Sequence, residues 1–451
     1  MKFKSINPYN NEELATYTAL TKGELIGKIE KAEQQFPAWK STNLASRCTI
    51  MRKAATVLVE NQELYARMIT LEMGKPITES LTEVKKCAWV CEYYADNAAD
   101  FLSDTIIETD ASKSLVKNSP IGTVLAIMPW NFPFWQVFRF AVPTMLAGNT
   151  ALLKHASNVF GSAEMIADVF TKAGVPDGVF QNLIVNHDAT ETILAHESVQ
   201  AVSLTGSERA GSAVAAIAGK HIKKSLLELG GSNAFIVWED ADIDAAVKTA
   251  LVARMLNCGQ SCIAAKRFIL LDEIYDEFVA KFTEGVRNLK SGDPMHSDTQ
   301  IGTLARADLA DELQKQVQNS IKKGAKLILG GGQKEAYHEP TILGDVVPGM
   351  AAFDEETFGP LAAMIRVSSI DEAFALASKS VFGLGLTVCT RNVEKALTYA
   401  DSIADGGYFI NELVKSDPRL PFGGTKKSGY GRELSLDGML EFVNRKTVYV
   451  K

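Results

Sequence analysis

Hydrophobic and polar positions follow two different rhythms along this chain. The segments KGELIGKIEKAEQQFPAWK, from Lys22, and ASRCTIMRKAATVLVENQELYARMI, from Ala45, alternate charged and apolar residues at helical spacing. One apolar face per segment predicts amphipathic surface helices. KKCAWVCEYYADNAADFL (85–102) predicts another, with Cys87 and Cys91 four apart on one face. From residue 115 the rhythm changes. Ser119-Pro120-Ile121-Gly122 reads as a turn between β-rich runs. Short apolar runs (TVLAIM, TALLKH, FQNLIV, VQAVSLT) then alternate with helical stretches (FRFAVPTMLAGN, SAEMIADVFTKAG, ATETILAH, SERAGSAVAAIAG). That β-α-β-α order predicts a parallel sheet covered on both faces. A second such rhythm starts at AFIVWEDADIDAAVKTALVARML and runs to the region of TRNVEKALTYADSI, so two α/β lobes are expected. The closing run EFVNRKTVYV alternates and reads as a terminal strand able to pair with a second subunit.

Composition narrows the function classes. A chain of 451 residues, 46% hydrophobic and 22% charged, has the balance of an ordinary globular protein with a large core. Its net charge of −7 argues against a nucleic-acid partner. No apolar run is long enough to span a bilayer, and MKFKSINPYNNEEL lacks a signal-peptide h-region. Six cysteines in a chain of this size do not suggest a disulfide scaffold, so a cytoplasmic, reducing setting is expected.

Four short stretches carry candidate chemistry. NCGQSC (257–262) sets Cys258 and Cys262 in one hexapeptide. A metal pair is disfavoured, because no further His or Cys ligands lie nearby in sequence. A redox pair, or one nucleophile with a bystander, remains. VSLTGSERAG (202–211) is a buried-strand pattern, then Gly206, then a helix start, where free amides favour a phosphate. It is not a G-x-G-x-x-G fingerprint, and no lysine follows Gly211 as a P-loop requires, so a plain strand-to-helix turn also fits. In LLKHAS (152–157), Lys154 and Ser157 would sit at the carboxyl edge of a parallel sheet. That edge suits a ribose or phosphate, although a solvated lysine is the simpler reading. Glu228, closing an apolar run in LLELGGSN, is either a strand-end carboxylate or a desolvated general base.

Six motifs taken together give a resemblance that covers essentially the whole chain. MPWNFPFWQ (128–136), LTGSERAG (204–211), LELGGSN (227–233), NCGQSC (257–262), EETFGP (355–360) and PFGGTKKSGYGREL (421–434) stand in one order. The chain resembles the aldehyde dehydrogenase superfamily. Within it, LLKHASN, MPWNFPFWQV and SDPRLPFGG resemble the shorter bacterial succinate-semialdehyde dehydrogenases. The resemblance implies Cys262 as nucleophile with Cys258 as bystander, Glu228 as general base and Asn131 as oxyanion donor. It implies Trp130, Lys154, Ser157, Gly206, Ser207, Gly211, Glu356 and Phe358 around a dinucleotide, with no metal. Ser157 stands where members that prefer NAD often carry an acidic residue, so the cofactor is expected to be NADP or NAD, with NADP favoured. His155 replaces a more usual proline and has no assigned role.

For substrate, Arg139 and Ser416 would hold a distal carboxylate, with Trp135 and Phe132 walling the tunnel. A guanidinium suits a carboxylate through two parallel hydrogen bonds. A second arginine found in some members is replaced here by Leu256. Another short aldehyde, such as glutarate semialdehyde or an aliphatic one, is the competing substrate. A catalytically silent structural or binding protein of the same fold is the non-enzyme alternative. The implied architecture is a cofactor lobe (1–101 and 121–227), a catalytic lobe (228–430) and a small β oligomerisation arm (102–120 and 431–451). Homodimers or homotetramers follow from the resemblance.

Overall fold

The computed structural model describes residues 1–451. The amphipathic segments form four helices, Lys22–Ser41, Leu44–Glu60, Gln62–Met73 and Ile77–Phe101. The first starts at a capping box in which Thr21 and Glu24 satisfy each other's backbone amides. The third stops at Gly74, left-handed at φ 80°, where a side chain would run into Thr303.

Two sheets follow. The first has five parallel strands in the spatial order Lys224–Glu228, Val199–Thr205, Thr123–Met128, Thr150–His155, Phe180–Asn182. The two-residue strand Gly429–Tyr430 adds antiparallel to Lys224–Glu228. Thr123–Met128 comes first in the chain and the later strands lie on both sides of it, so the order reverses beside it. Ligands of open α/β sheets collect outside the carboxyl ends at such a reversal. Both faces are covered: Val124 and Ala126 belong to one apolar core, while Leu125 on the same strand belongs to another. The second sheet runs Lys326–Leu329, Thr341–Gly344, Leu361–Val367, Ala265–Leu271, Asn233–Val237, Leu386–Cys389, Tyr408–Ile410, parallel except at its first edge.

The Ser119–Gly122 turn does not make a hairpin. Lys113–Pro120 and Thr123–Met128 belong to different sheets, and Gly122 at φ 136° turns the chain from one to the other. Lys113–Pro120 lies between Thr105–Ile106 and the terminal strand Val443–Val450, which pairs with it through eight residues and leaves its other edge free. Upstream of that strand, one C-terminal ribbon returns to the first lobe. Phe422 packs in its core, Glu433 meets Arg139, and the Phe442 carbonyl accepts from Asn149 Nδ2 at 2.8 Å. No helix is long and apolar enough to cross a membrane.

Candidate active site

The carboxyl ends of the first sheet supply most of the site. Thr123–Met128 runs into Trp130 and Asn131, Thr150–His155 ends with Lys154, Val199–Thr205 leads to Gly206 and Ser207, and Lys224–Glu228 ends on Glu228. The loop holding Cys262 crosses over from the second lobe.

That loop has an unusual backbone. Asn257, Cys258 and Gly259 are all left-handed, at φ 57°, 52° and 74°. Such a run costs about 1–2 kcal/mol for each non-glycine residue, so its surroundings must hold it. Asn257 Nδ2 donates to the Asn131 carbonyl at 2.8 Å and to the Gln260 carbonyl at 3.1 Å. Its backbone N–H donates to Glu79 at 2.7 Å. Arg254, fully buried, donates to the carbonyls of Gly259 and Gly359. Gly259 has no room for a Cβ, which would collide with the Gly359 carbonyl. Lys266 Nζ donates to the Ser261 and Cys262 carbonyls, both at 2.9 Å, and meets Glu356 Oε1 at 3.3 Å.

The two cysteines diverge. Cys258 lies in the apolar core of the second lobe, and its Sγ accepts the Gly302 N–H at 3.2 Å. Cys262 packs against the core of the first lobe and lines a cavity of about 230 Å³. All six cysteines are free thiols. Burial raises the Cys262 thiol to about 11, with Lys266 opposing the shift. Around it, Asn131 is buried, donates Nδ2 to the Gln260 carbonyl at 3.0 Å, and leaves Oδ1 without a partner. The Cys262 N–H has no backbone acceptor. Glu228 is buried with neither carboxylate oxygen hydrogen-bonded. Burial holds its carboxyl well above the usual range, and the neighbouring Glu433 pushes the same way.

Arg139 differs from the expectation in one respect. It lines the cavity, but its guanidinium is buried and committed: Nε forms an ion pair with Glu433, Nη2 donates to Thr205 Oγ1 at 3.2 Å, and the Phe422 ring lies 4.8 Å away. Its Nη1 carries no hydrogen bond. Trp135, Phe132 and Leu256 line the same cavity, as does Ser416. Ser416 Oγ accepts from Trp135 Nε1 at 3.1 Å and from Lys86 Nζ at 2.9 Å.

A dinucleotide fits the carboxyl edge on this structure's own terms. Lys154 makes no ion pair; burial lowers its pKa with no carboxylate offsetting the loss. An anion would supply that missing partner. Ser157 is exposed beside it. Ser207 caps the thirteen-residue helix Glu208–Lys220, whose first amides face outward from the sheet edge. Trp130 and Phe358 meet edge to face, with centroids 5.6 Å apart. Glu356 accepts from the Gly231 N–H at 2.9 Å through Oε1, as from Lys266, which leaves Oε2 for another donor. Gly211 is buried against Leu229, whose side chain fills the place of a Cβ, so its lack of a side chain sets helix-to-strand packing. His155 now has a role. It is buried, Nδ1 accepts the Ala156 N–H, and Nε2 is left to donate to the Pro133 carbonyl at 2.9 Å, tying this strand end to the Asn131 loop. Burial lowers it to about 4, so it stays neutral.

The whole chain matches the known proteins of one group. Residues 1–448 match the model of the Aldehyde dehydrogenase family. The chain belongs to the aldehyde dehydrogenase family. It is 46% identical to a probable succinate-semialdehyde dehydrogenase [NADP(+)] of Synechocystis sp., over 100% of both chains. It is 45% identical to succinate-semialdehyde dehydrogenase [NADP(+)] 1 of Mycobacterium bovis, again over 100% of both. Among solved structures, a succinic semialdehyde dehydrogenase from Streptococcus pyogenes in complex with NADP+ superposes with a TM-score of 0.97 at 38% identity, covering 99% of each chain. That family agrees with the α/β fold of two parallel sheets found here.

Sequence reasoning missed several residues of this aldehyde dehydrogenase site: Lys86, Lys266, Arg254, Glu79 and Glu433. A partial signal existed for one of them. Glu79, Glu83, Lys86 and Val90 share one helical stripe, and polar residues aligned with a buried valine mark a polar site inside a lobe.

Proposed function

We propose that this chain oxidises succinate semialdehyde to succinate with NADP(+), with NAD as the weaker cofactor, and releases the free acid. Full-length relatives at 45–46% identity support the substrate and the cofactor. The observation that carries the reading is the cavity beside Cys262, which presents the thiol together with Arg139, Lys86 and Ser416.

Cys262 releases its proton to solvent, its thiolate forms a bond to the aldehyde carbon, and the C=O π electrons move onto oxygen as an oxyanion. The second Nδ2 hydrogen of Asn131 and the Cys262 N–H stabilise that oxyanion; one such donor contributes about 3–4 kcal/mol. NADP, when bound, would supply the acceptor for the hydride. Trp130, Glu356 and Phe358 would hold its nicotinamide ribose and ring, and Lys154, Ser157, Gly206 and Ser207 its adenosine end. No carboxylate stands beside Lys154 to repel a 2′-phosphate. The thioester left on Cys262 is hydrolysed by a water that Glu228 deprotonates. Burial raises the Glu228 carboxyl, so it holds a proton more tightly than a free carboxyl and works as a base only once that proton is gone.

On this reading the cofactor lobe is 1–101 with 121–227, the catalytic lobe 228–430 and the arm 102–120 with 431–451. The arm strand Val443–Val450 pairs with a second copy to give a homodimer or homotetramer in the cytoplasm. Its free edge supports this pairing. Initial rates for succinate semialdehyde, glutarate semialdehyde and butanal, each with NADP and with NAD, test the reading. Succinate semialdehyde with NADP should give the highest kcat/KM; a preference for butanal would overturn it.

A further inference from the structure

One buried ammonium ties together three parts of the site. Lys266 is the second residue of the strand Ala265–Leu271, four after Cys262, and its side chain is wholly shielded from solvent. Its Nζ lies 2.9 Å from the Ser261 carbonyl, 2.9 Å from the Cys262 carbonyl and 3.3 Å from Glu356 Oε1. Three acceptors around one nitrogen use three N–H groups, which only the charged form of lysine has. Glu356 Oε1 also accepts the N–H of Gly231, three residues after Glu228, at 2.9 Å. The Cys262 carbonyl presses on the same glycine, 2.6 Å from where a Cβ would stand. The Phe358 ring centre is 6.0 Å from the ammonium. The nucleophile turn, the loop after the general base and the loop carrying Glu356 and Phe358 therefore meet at one nitrogen. A buried cation is costly unless it is paired, and Glu356 is its one carboxylate partner. Both charges reach the nucleophile. Burial disfavours the Cys262 thiolate most; among the charges, Lys266 favours it and Glu356 opposes it. From the first lobe, Arg139 and Glu228 also act on it with opposite signs, each more weakly.

We propose that Lys266 is a positioning residue for the reaction: its ammonium fixes the Cys262 carbonyl and the Glu356 carboxylate to a common point and sets a positive charge beside the place where the thiolate forms. The inference rests on Cys262 as the nucleophile and adds the group that makes its buried anion attainable. Glu356 is the counterweight, since it holds the ammonium in place and opposes its effect on the sulfur.

The test is the rate of Cys262 alkylation by iodoacetamide in the cofactor-free protein, followed from pH 6 to 10 by the mass of the Cys262 peptide. Below the thiol's own titration that rate follows the thiolate fraction, so a displacement of one pH unit reads as a tenfold change. Lys266→Met keeps an unbranched side chain and removes the charge. It should slow alkylation at a given pH by about tenfold or more and move the profile to higher pH. Glu356→Gln removes the opposing charge and should move the profile the other way, to faster alkylation at the same pH. A knot that only holds the loops together would loosen in both variants and move both rates in one direction. Slower in the first with faster in the second supports the inference; any other pairing overturns it. Should Lys266→Met fail to fold, Glu356→Gln decides alone: faster alkylation supports the inference, and an unchanged or slower rate overturns it. The readout needs no turnover. The underlying reading fails separately, if the wild-type enzyme reduces no NADP in the presence of succinate semialdehyde.

Discussion

At the scale of single residues, the site is a set of buried groups whose protons are displaced from their ordinary positions. Cys262 rests as a thiol because burial raises it to about 11. Alkylation of Cys262 by iodoacetamide in the cofactor-free protein should be slow at neutral pH. It should accelerate about tenfold per pH unit until near that value; a plateau by pH 8 would contradict it. The same shift affects stability. An unfolded cysteine titrates near 8.5, so the folded chain holds this proton more tightly. Stability is fully present below about pH 8.5 and declines as pH rises towards 11, by at most about 1.4 kcal/mol per unit. Urea midpoints across that window measure it, and Cys262→Ala should flatten the decline. Cys262→Ala should also abolish aldehyde oxidation. Glu228→Gln should lower steady turnover by about 10²–10⁴-fold. It should leave a single rapid burst of reduced nicotinamide, seen by stopped-flow absorbance, because acylation precedes the step Glu228 serves. Cys262, Glu228 and Asn131 could be singled out from the sequence as candidates because each sits in a short local motif. The pairing of Arg139 with Glu433 was not, since the two lie far apart in the chain and only folding brings them together. Lys86 escaped notice for a related reason: a lysine in a mixed helix reads as solvent-facing unless the neighbouring turns are known to be buried.

At the scale of elements, the nucleophile loop is a strained turn clamped from both lobes. Asn and Gly in NCGQSC hinted at left-handed backbone, since both tolerate it. Nothing in the sequence marked Cys258 as the residue between them. Gly259→Ala forces a side chain into the Gly359 carbonyl at a positive φ. It should lower thermal stability by more than about 1 kcal/mol and reduce turnover, read by calorimetry and steady-state rates on the same preparation. Arg139→Leu strands Glu433 in the interior beside Glu228. It should destabilise the fold by about 3–5 kcal/mol and impair succinate semialdehyde and butanal alike, where a pure carboxylate anchor would spare butanal. The strands themselves were legible from their apolar runs. The crossing of Gly429–Tyr430 back to the first sheet was not, because a two-residue strand carries no pattern.

At the scale of the molecule, the alternating rhythms correctly indicated two α/β lobes, and the closing run indicated a terminal strand. The sequence left hidden how that strand joins the site. Deleting residues 443–451 should shift the protein to a smaller species in light scattering, if Val443–Val450 is the docking edge.

The ribbon from Phe422 to Val450 has one more consequence. The ring that backs the guanidinium, the acid that neutralises it, and the outermost strand of the arm are beads on one short string. If a second copy holds that outermost strand as proposed, progressive dilution should silence the enzyme while its circular dichroism spectrum stays whole.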